Sequence, residues 1–251
     1  MVMIGGKDME IEVFTTLNGI PDETINSKTI IVIDVLRATT TITAALAAGC
    51  LEIIPVLTPE EAIEMRERLE DDRVLLGGER NALKIPGFDL GNSPLEYTAD
   101  VVAGKRLIIT TTNGTRAIRR AASGRQVLLG AMINGPAVAR VAAAGAADIT
   151  IICAGTRDRF SLEDFLTAGL LVDELGNQGD FTLRDGARVA RDYYRLHRED
   201  PEAAMKASYH GQLLAGLGME DDVEYCAQVD ITTIVPVYSS GIIKSPDRGT
   251  E

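Results

Sequence analysis

Short β-branched apolar runs alternate with longer stretches of helical period along most of this chain. Residues 29–35, 106–111 and 149–153 carry almost no polar alternation, the mark of strands buried on both faces. Residues 9–14, 52–56, 73–76, 126–129 and 231–237 complete the expected strands. Helical patterns lie between several of them. In TPEEAIEMRERLE, Thr58 reads as N-cap, Pro59 as the first helical residue and Glu61 as the capping-box partner. In NGPAVARVAAAG, Pro136 stands near the start of a helix and Gly145 past its end. This alternation predicts a layered α/β/α fold with a mixed, largely parallel sheet. From about residue 162 to 228 the pattern is almost wholly helical, with Tyr193, Tyr194, Leu196, Tyr209 and Leu213 as apolar contacts. That stretch is expected to be a helical lobe of a single domain spanning 1–251, since no linker-like tract or internal repeat divides the chain.

Polar residues collect where strands end. The run at 29–35 breaks on Asp34 and Arg37, followed by Thr39, Thr40 and Thr41 and a short apolar helix that closes at Gly49. In open α/β sheets ligands bind at the carboxyl ends of strands, and the free N–H groups of a helix start attract anions. A threonine cap and a solvated arginine form the plainer account, but leave the acid unexplained. The run at 106–111 leads into Thr111, Thr112, Asn113, Gly114 and Thr115, with Arg116 just behind. An Asn-Gly turn with a threonine cap accounts for these residues equally well. After residue 153 come Arg157 and Arg159, then Ser161 as a helix cap with Asp164 facing back to it. Glu163 beside it reads as an ordinary first-turn acid or as a metal ligand. The fourth strand end gives Gly77, Gly78 and the pair Glu79-Arg80, then a long Gly/Pro/Asn loop holding Asn81, Asn92 and Ser93. Ile85, Phe88 and Leu90 should pack this loop down as a lid or binding loop. Four such ends imply one polar cleft at the edge of the sheet. Arginine forks and hydroxyls bind oxyanions and carboxylates hold Mg²⁺, so a small, multiply anionic, phosphorylated molecule fits it.

Composition narrows the classes. The 251-residue chain is 45% hydrophobic, ample for a core, and has no apolar run long enough to span a membrane. Its start, MVMIGGKDMEIEVF, lacks the basic and apolar regions of a signal peptide, so a cytoplasmic location is expected. A net charge of −12 argues against nucleic acid or an anionic membrane as partner, but not against a small anion. Acidic stretches such as EDDVEY, with Asp222, read as solvated helix faces, and Cys226 as core. The three cysteines are widely spaced without a CxxC, which implies reduced, structural thiols. His197 and His210 read as a surface residue and a possible helix cap. With no HExxH, a metal here would be a hard, oxygen-liganded one.

Specific phosphate motifs discriminate further. A P-loop is absent, and the second aspartate of a haloacid-dehalogenase-type site is replaced by Leu36. The cysteine-phosphatase pattern C-x₅-R occurs from Cys153 to Arg159 and ranks second; it requires a thiol of depressed pKa. The segments DVLRATTT (34–41), GGERN (77–81), GFDLGNSP (87–94), TTNGT (111–115), SLEDFLTAG (161–169) and EDDVEYCAQVD (220–230) together resemble the 2-phosphosulfolactate phosphatase (ComB-like) family over nearly the whole chain. The resemblance implies an α/β fold peculiar to that family and a cytoplasmic, homo-oligomeric, Mg²⁺-dependent phosphoric monoester hydrolase. Its reaction would convert 2-phospho-3-sulfolactate to 3-sulfolactate and phosphate, as in coenzyme M biosynthesis. Asp34 is then the first candidate for a catalytic or Mg²⁺-binding carboxylate and Glu79 the second, with Arg37 and Arg80 clamping oxyanions. Thr39, Thr40, Asn113, Gly114 and Thr115 would hold phosphoryl or sulfonate oxygens, and Glu163 would complete the metal shell or position water. Thr111, Thr112, Arg116, Asn92 and Ser93 are further candidate substrate contacts. Asp34 serves equally as nucleophile or as metal ligand in such a scheme. Two rivals stand beside it: a non-catalytic anion-binding protein, which needs no carboxylates at strand ends, and a metal-independent cysteine phosphatase using Cys153 and Arg159.

Overall fold

The computed structural model describes residues 9–246. In chain order, strand β1 (Met9–Phe14) and β2 (Thr29–Ile33) precede helix α1 (Ala38–Ala47), β3 (Glu52–Pro55), α2 (Pro59–Leu69), β4 (Val74–Arg80) and β5 (Leu83–Lys84). Then follow α3 (Ala99–Val102), β6 (Arg106–Thr110), α4 (Gly114–Arg120), β7 (Gln126–Gly130), α5 (Gly135–Ala144) and β8 (Ile149–Cys153). The helical part runs through α6 (Leu162–Gly176), a short β9 (Phe181–Leu183), α7 (Asp185–His197), α8 (Pro201–Ala207), α9 (Tyr209–Gly216) and α10 (Glu220–Ala227). Strands β10 (Val237–Ser239) and β11 (Ile242–Lys244) come last.

The described strands form one eleven-stranded sheet in the order β5-β4-β6-β3-β11-β10-β7-β2-β8-β1-β9. Two parallel blocks lie within it, β4-β6-β3 and β7-β2-β8-β1-β9. The antiparallel β10–β11 hairpin joins them, β10 pairing with β7 and β11 with β3. The fold is thus the layered α/β/α arrangement with a mixed, largely parallel sheet.

Alternation along β2 shows how the layers form. Ile31 and Ile33 enter a core with β1, β8, α5, α6 and α7, whereas Ile30 and Val32 enter another with α1 and α4. That second core also takes Ile53, Leu107 and Ile109 from the other parallel block. Residues from both blocks meeting on one set of helices require a sheet curled around α1 and α4. Outside, α2 covers the far block through Ala62, Val74, Leu76 and Ile108. By the same alternation Asp34, two residues beyond Val32, belongs to the inner, concave side.

Strands differ from the sequence reading in three places. The stretch 162–228, expected to be helical, contains the short β9, which pairs with the edge of β1. The segment 231–237 is not a strand until Val237; the sheet is completed by the hairpin whose turn, Ser240-Gly241, has φ of 51° and 85°. Two left-handed residues give the turn that matches strand twist, and the reading of 231–237 overlooked that Ser-Gly signal. The run at 74–76 continues to Arg80 and turns back at Asn81-Ala82 into β5, so GGER is strand and not loop. The rest of the expected loop packs down as the apolar residues require, with Ile85, Phe88 and Leu90 buried.

Gly78 makes that extension possible. Its φ is +135°, and a Cβ there would overlap the Thr110 carbonyl oxygen. The Gly78→Ala variant should therefore lose at least about 2 kcal/mol of stability, from combined backbone strain and overpacking. Urea unfolding of the two proteins would measure the difference.

Candidate active site

The curled sheet brings its strand ends to one cavity of about 650 Å³, lined among others by Asp34, Arg37, Glu79, Asn92, Thr112, Asn113, Arg157, Arg159, Glu163 and His210. Its floor is acidic. Asp34 follows β2 and is only 7% exposed; its Oδ1 accepts from the Ala38 N–H at 3.4 Å, and its main-chain carbonyl accepts from Thr39 N–H at 2.8 Å. Gly114 packs so closely that a Cβ would lie 2.8 Å from Asp34 Oδ2. Glu79 near the end of β4 is held at both oxygens: Oε2 by the Ala82 N–H (2.8 Å) and Oε1 by the Thr112 N–H (2.7 Å). Glu163, in the first turn of α6, is 3% exposed, and among the described residues no donor reaches its carboxylate.

Burial and crowding act together on these acids. Burial first, then the charges of Glu79 and Glu163, raise the Asp34 pKa from 3.8 to about 7, against lowering by the Ala38 and Gly114 amides. Asp164 behind the floor is raised as well, by burial and then by Asp34 and Glu163. Ser161 does cap α6, accepting from the Asp164 N–H at 3.4 Å. The Asp164 carboxylate does not turn back to Ser161, however. It accepts from Val35 N–H (2.9 Å) and Gly155 N–H (3.1 Å), tying the ends of β2 and β8 together.

Several residues that the sequence reading aimed at the ligand are spent inside the fold. Thr39 Oγ1 accepts from Asp34 N–H, and Thr40 donates to the Val35 carbonyl; neither lines the cavity. Thr111 and Thr115 satisfy one another across the start of α4. Ser, Thr and Asn near chain turns bond local backbone first, which explains the difference. Arg80 points away, donating to the carbonyls of Glu79 and Leu57 and to Thr110 Oγ1. Arg116 lies on the surface, paired with Asp158 at 3.2 Å. Arg37 does reach the cavity, yet its guanidinium is held by a buried ion pair with Asp222 and by the Ala82 carbonyl at 2.6 Å. Asp222 is therefore not a solvated helix acid; it is 4% exposed and also accepts from Ser93 Oγ. Breaking such a pair leaves a buried charge uncompensated, a cost of about 3–5 kcal/mol.

Two polar atoms on the wall have no partner among the described residues: Asn92 Oδ1 and Thr112 Oγ1. Buried groups of this kind are normally bonded, so both stand ready for a ligand. Thr41 fixes Asn92 by donating to its carbonyl at 2.8 Å. The Asn113 amide oxygen accepts from the Arg157 N–H at 3.1 Å and shapes the rim. His210, Tyr209 and Leu213 of α9 form the opposite wall. Ser208, not His210, caps α9, and burial lowers the His210 pKa against the raising charge of Glu163. His210 is thus a cavity residue and not the expected cap, and no local pattern links it to Asp34 or Glu79, more than a hundred positions earlier.

The donor set fits a magnesium ion in a particular way. Mg²⁺ takes one or two carboxylates and fills its shell with water and substrate oxygens. Asp34 and the donor-free Glu163 would match that; Glu79, on the same cavity, accepts one amide N–H at each oxygen. Among the described residues no three His, Cys, Asp or Glu groups converge into a complete protein cage. The cysteine rival fails on geometry. Cys153 is fully buried in the core and does not line the cavity, and burial, then the charges of Asp164 and Glu163, raise its pKa well above the usual thiol range.

Comparison with known proteins shows which family the chain is similar to. The model of a family described as 2-phosphosulpholactate phosphatase matches residues 14–241. A probable 2-phosphosulfolactate phosphatase of Symbiobacterium thermophilum is 46% identical over 222 residues, covering 88% of this chain and 95% of that protein. Proteins with the same name from Caldanaerobacter subterraneus and Clostridium tetani are each 43% identical, over 94% of this chain and 98% and 100% of their own.

The acidic floor makes a stability prediction. A folded-state pKa for Asp34 raised to about 7 means the protonated form is favoured, so its contribution is full below about pH 4 and lost as pH rises through about 7. The Asp34→Asn variant should therefore melt higher than the parent at pH 8 in EDTA, and close to it at pH 4. Thermal unfolding at the two pH values checks the sign.

Proposed function

The chain belongs to the 2-phosphosulpholactate phosphatase family, and from that premise we propose that it hydrolyses 2-phospho-3-sulfolactate to 3-sulfolactate and phosphate with Mg²⁺. It is on this reading a phosphoric monoester hydrolase, of the kind that serves coenzyme M biosynthesis. The observation that carries it is the buried, donor-free Glu163 carboxylate on the same cavity as Asp34. Three carboxylates and a phosphate dianion repel one another in a partly desolvated cavity, so the substrate needs an intervening cation. Asp34 and Glu163 would hold it, with the charge of Glu79 reinforcing the attraction. Bound magnesium supplies charge neutralisation at the phosphoryl oxygens, the main demand of phosphoryl transfer. Thr112 Oγ1 and Asn92 Oδ1 offer unfilled hydrogen-bonding capacity to orient the substrate. A non-catalytic anion binder would have no use for this floor, which only repels an anion.

Among the described residues no helix is long and apolar enough to cross a membrane. A cytoplasmic homo-oligomer acting on a small anionic substrate completes the proposal.

Phosphate release tests it. The parent protein should release phosphate from 2-phospho-3-sulfolactate with Mg²⁺ and not in EDTA. Asp34→Asn and Glu163→Gln should each lower kcat by about 100-fold or more while the circular dichroism stays that of the parent. Cys153→Ser should keep kcat within about threefold. Turnover that survives EDTA but not Cys153→Ser contradicts the proposal.

A further inference from the structure

The cavity carries cations as well as acids. On its wall, Thr156 and Arg159 close a tight turn whose central residues, Arg157 and Asp158, have φ of 51° and 61°. Non-glycine residues in that region cost on the order of 1 kcal/mol each, so such a turn persists only where its surroundings hold it. Here they do. Asn113 Oδ1 accepts from Arg157 N–H, Asn18 Nδ2 donates to the Asp158 carbonyl at 3.4 Å, and Arg116 pairs with the Asp158 carboxylate. Phe160 packs edge-on against Phe165, 5.3 Å between ring centres. The turn delivers two arginines to the cavity.

Their charges are uncommitted. Arg37 is neutralised by Asp222, and Arg116 neutralises Asp158. Among the described residues the Arg157 guanidinium donates only to the Asn81 amide oxygen (2.8 Å), and Arg159 has no ion-pair partner. A solvated turn would account for two exposed arginines, but it would not call for strain at both central positions or for anchors from two separate segments.

On the function proposed above, the substrate carries phosphate, carboxylate and sulfonate on adjacent carbons. A sulfonate is a permanent, diffuse anion and a weak ligand for a hard cation, so it gains little at the acidic, metal-binding floor. It suits guanidinium forks, which are themselves weakly hydrated and present several donors to an oxyanion. We infer that Arg157 and Arg159 are the specificity-determining pair that reads the sulfonate, while the phosphoryl group faces Asp34 and Glu163.

The test compares 2-phospho-3-sulfolactate with 2-phospholactate, which lacks the sulfonate. In Arg157→Gln and Arg159→Gln the ratio of kcat/KM for the sulfonated over the unsulfonated substrate should fall about 10-fold, and in the double variant about 100-fold, chiefly through KM of the sulfonated compound. Equal losses on both substrates would make the arginines phosphate ligands and overturn the assignment, as would an unchanged ratio. Calorimetric binding of 3-sulfolactate against lactate needs no turnover and separates the two claims. If the parent protein hydrolyses neither compound, the phosphatase reading fails. Loss of 3-sulfolactate affinity in the variants still supports the arginine pair, whereas unaltered affinity, or no binding to the parent protein, overturns it.

Discussion

Like charge held out of water at one edge of the sheet is the constraint on which the rest of this molecule turns. Asp34, Glu79, Glu163 and Asp164 are each less than a tenth exposed; after burial, the charges of Glu79 and Glu163 raise Asp34, and those of Asp34 and Glu163 raise Asp164. Left alone, such a cluster would open or neutralise itself. It persists because main-chain amides are aimed at it: Ala38 and Gly114 at Asp34, Ala82 and Thr112 at Glu79, Val35 and Gly155 at Asp164. Glu163 alone is left without a protein donor among the described residues. Raising Asp34 to about 7 represents a penalty on the order of several kcal/mol for its ionised form, which is the kind of strain that proteins tolerate at functional sites.

The scaffold exists to hold those amides in place. Two parallel blocks would lie apart in a flat sheet; the β10–β11 hairpin welds them, and curling around α1 and α4 brings the end of β6 against the end of β2. The Gly114 contact with Asp34 and the Gly78 contact with Thr110 are places where two main chains approach too closely for any side chain. The Arg37–Asp222 pair then ties α10 to the start of α1, so the helical lobe is fastened to the same edge. Arg37 serves here as a tie, and among the described residues Arg157 and Arg159 line the same cavity without an ion-pair partner.

Much of this was legible in the sequence. The uninterrupted apolar runs gave the buried strands because a strand packed on both faces leaves no polar alternation, and Asp34 and Glu79 stood out as acids where those runs end. The threonines were harder. A hydroxyl beside a turn can serve ligand or backbone, and only the fold shows that Thr39, Thr40, Thr111 and Thr115 chose backbone. Residues whose role depends on long-range placement were opaque. Asp222 looked like a solvated acid until α10 packed on Arg37, and His210 reaches the cavity only because α9 folds over it. Arg157 and Arg159 were visible as loop arginines, but their freedom from ion pairs is a property of the folded neighbourhood alone.

The most direct test of a cavity with an acidic floor and a cationic rim is a crystal structure with 3-sulfolactate and Mg²⁺ bound. The account predicts sulfonate oxygens within hydrogen-bond distance of Arg157 and Arg159, and the C2 hydroxyl directed toward Asp34 and Glu163. Sulfonate seated against the carboxylates, or the molecule bound outside this cavity, would contradict it.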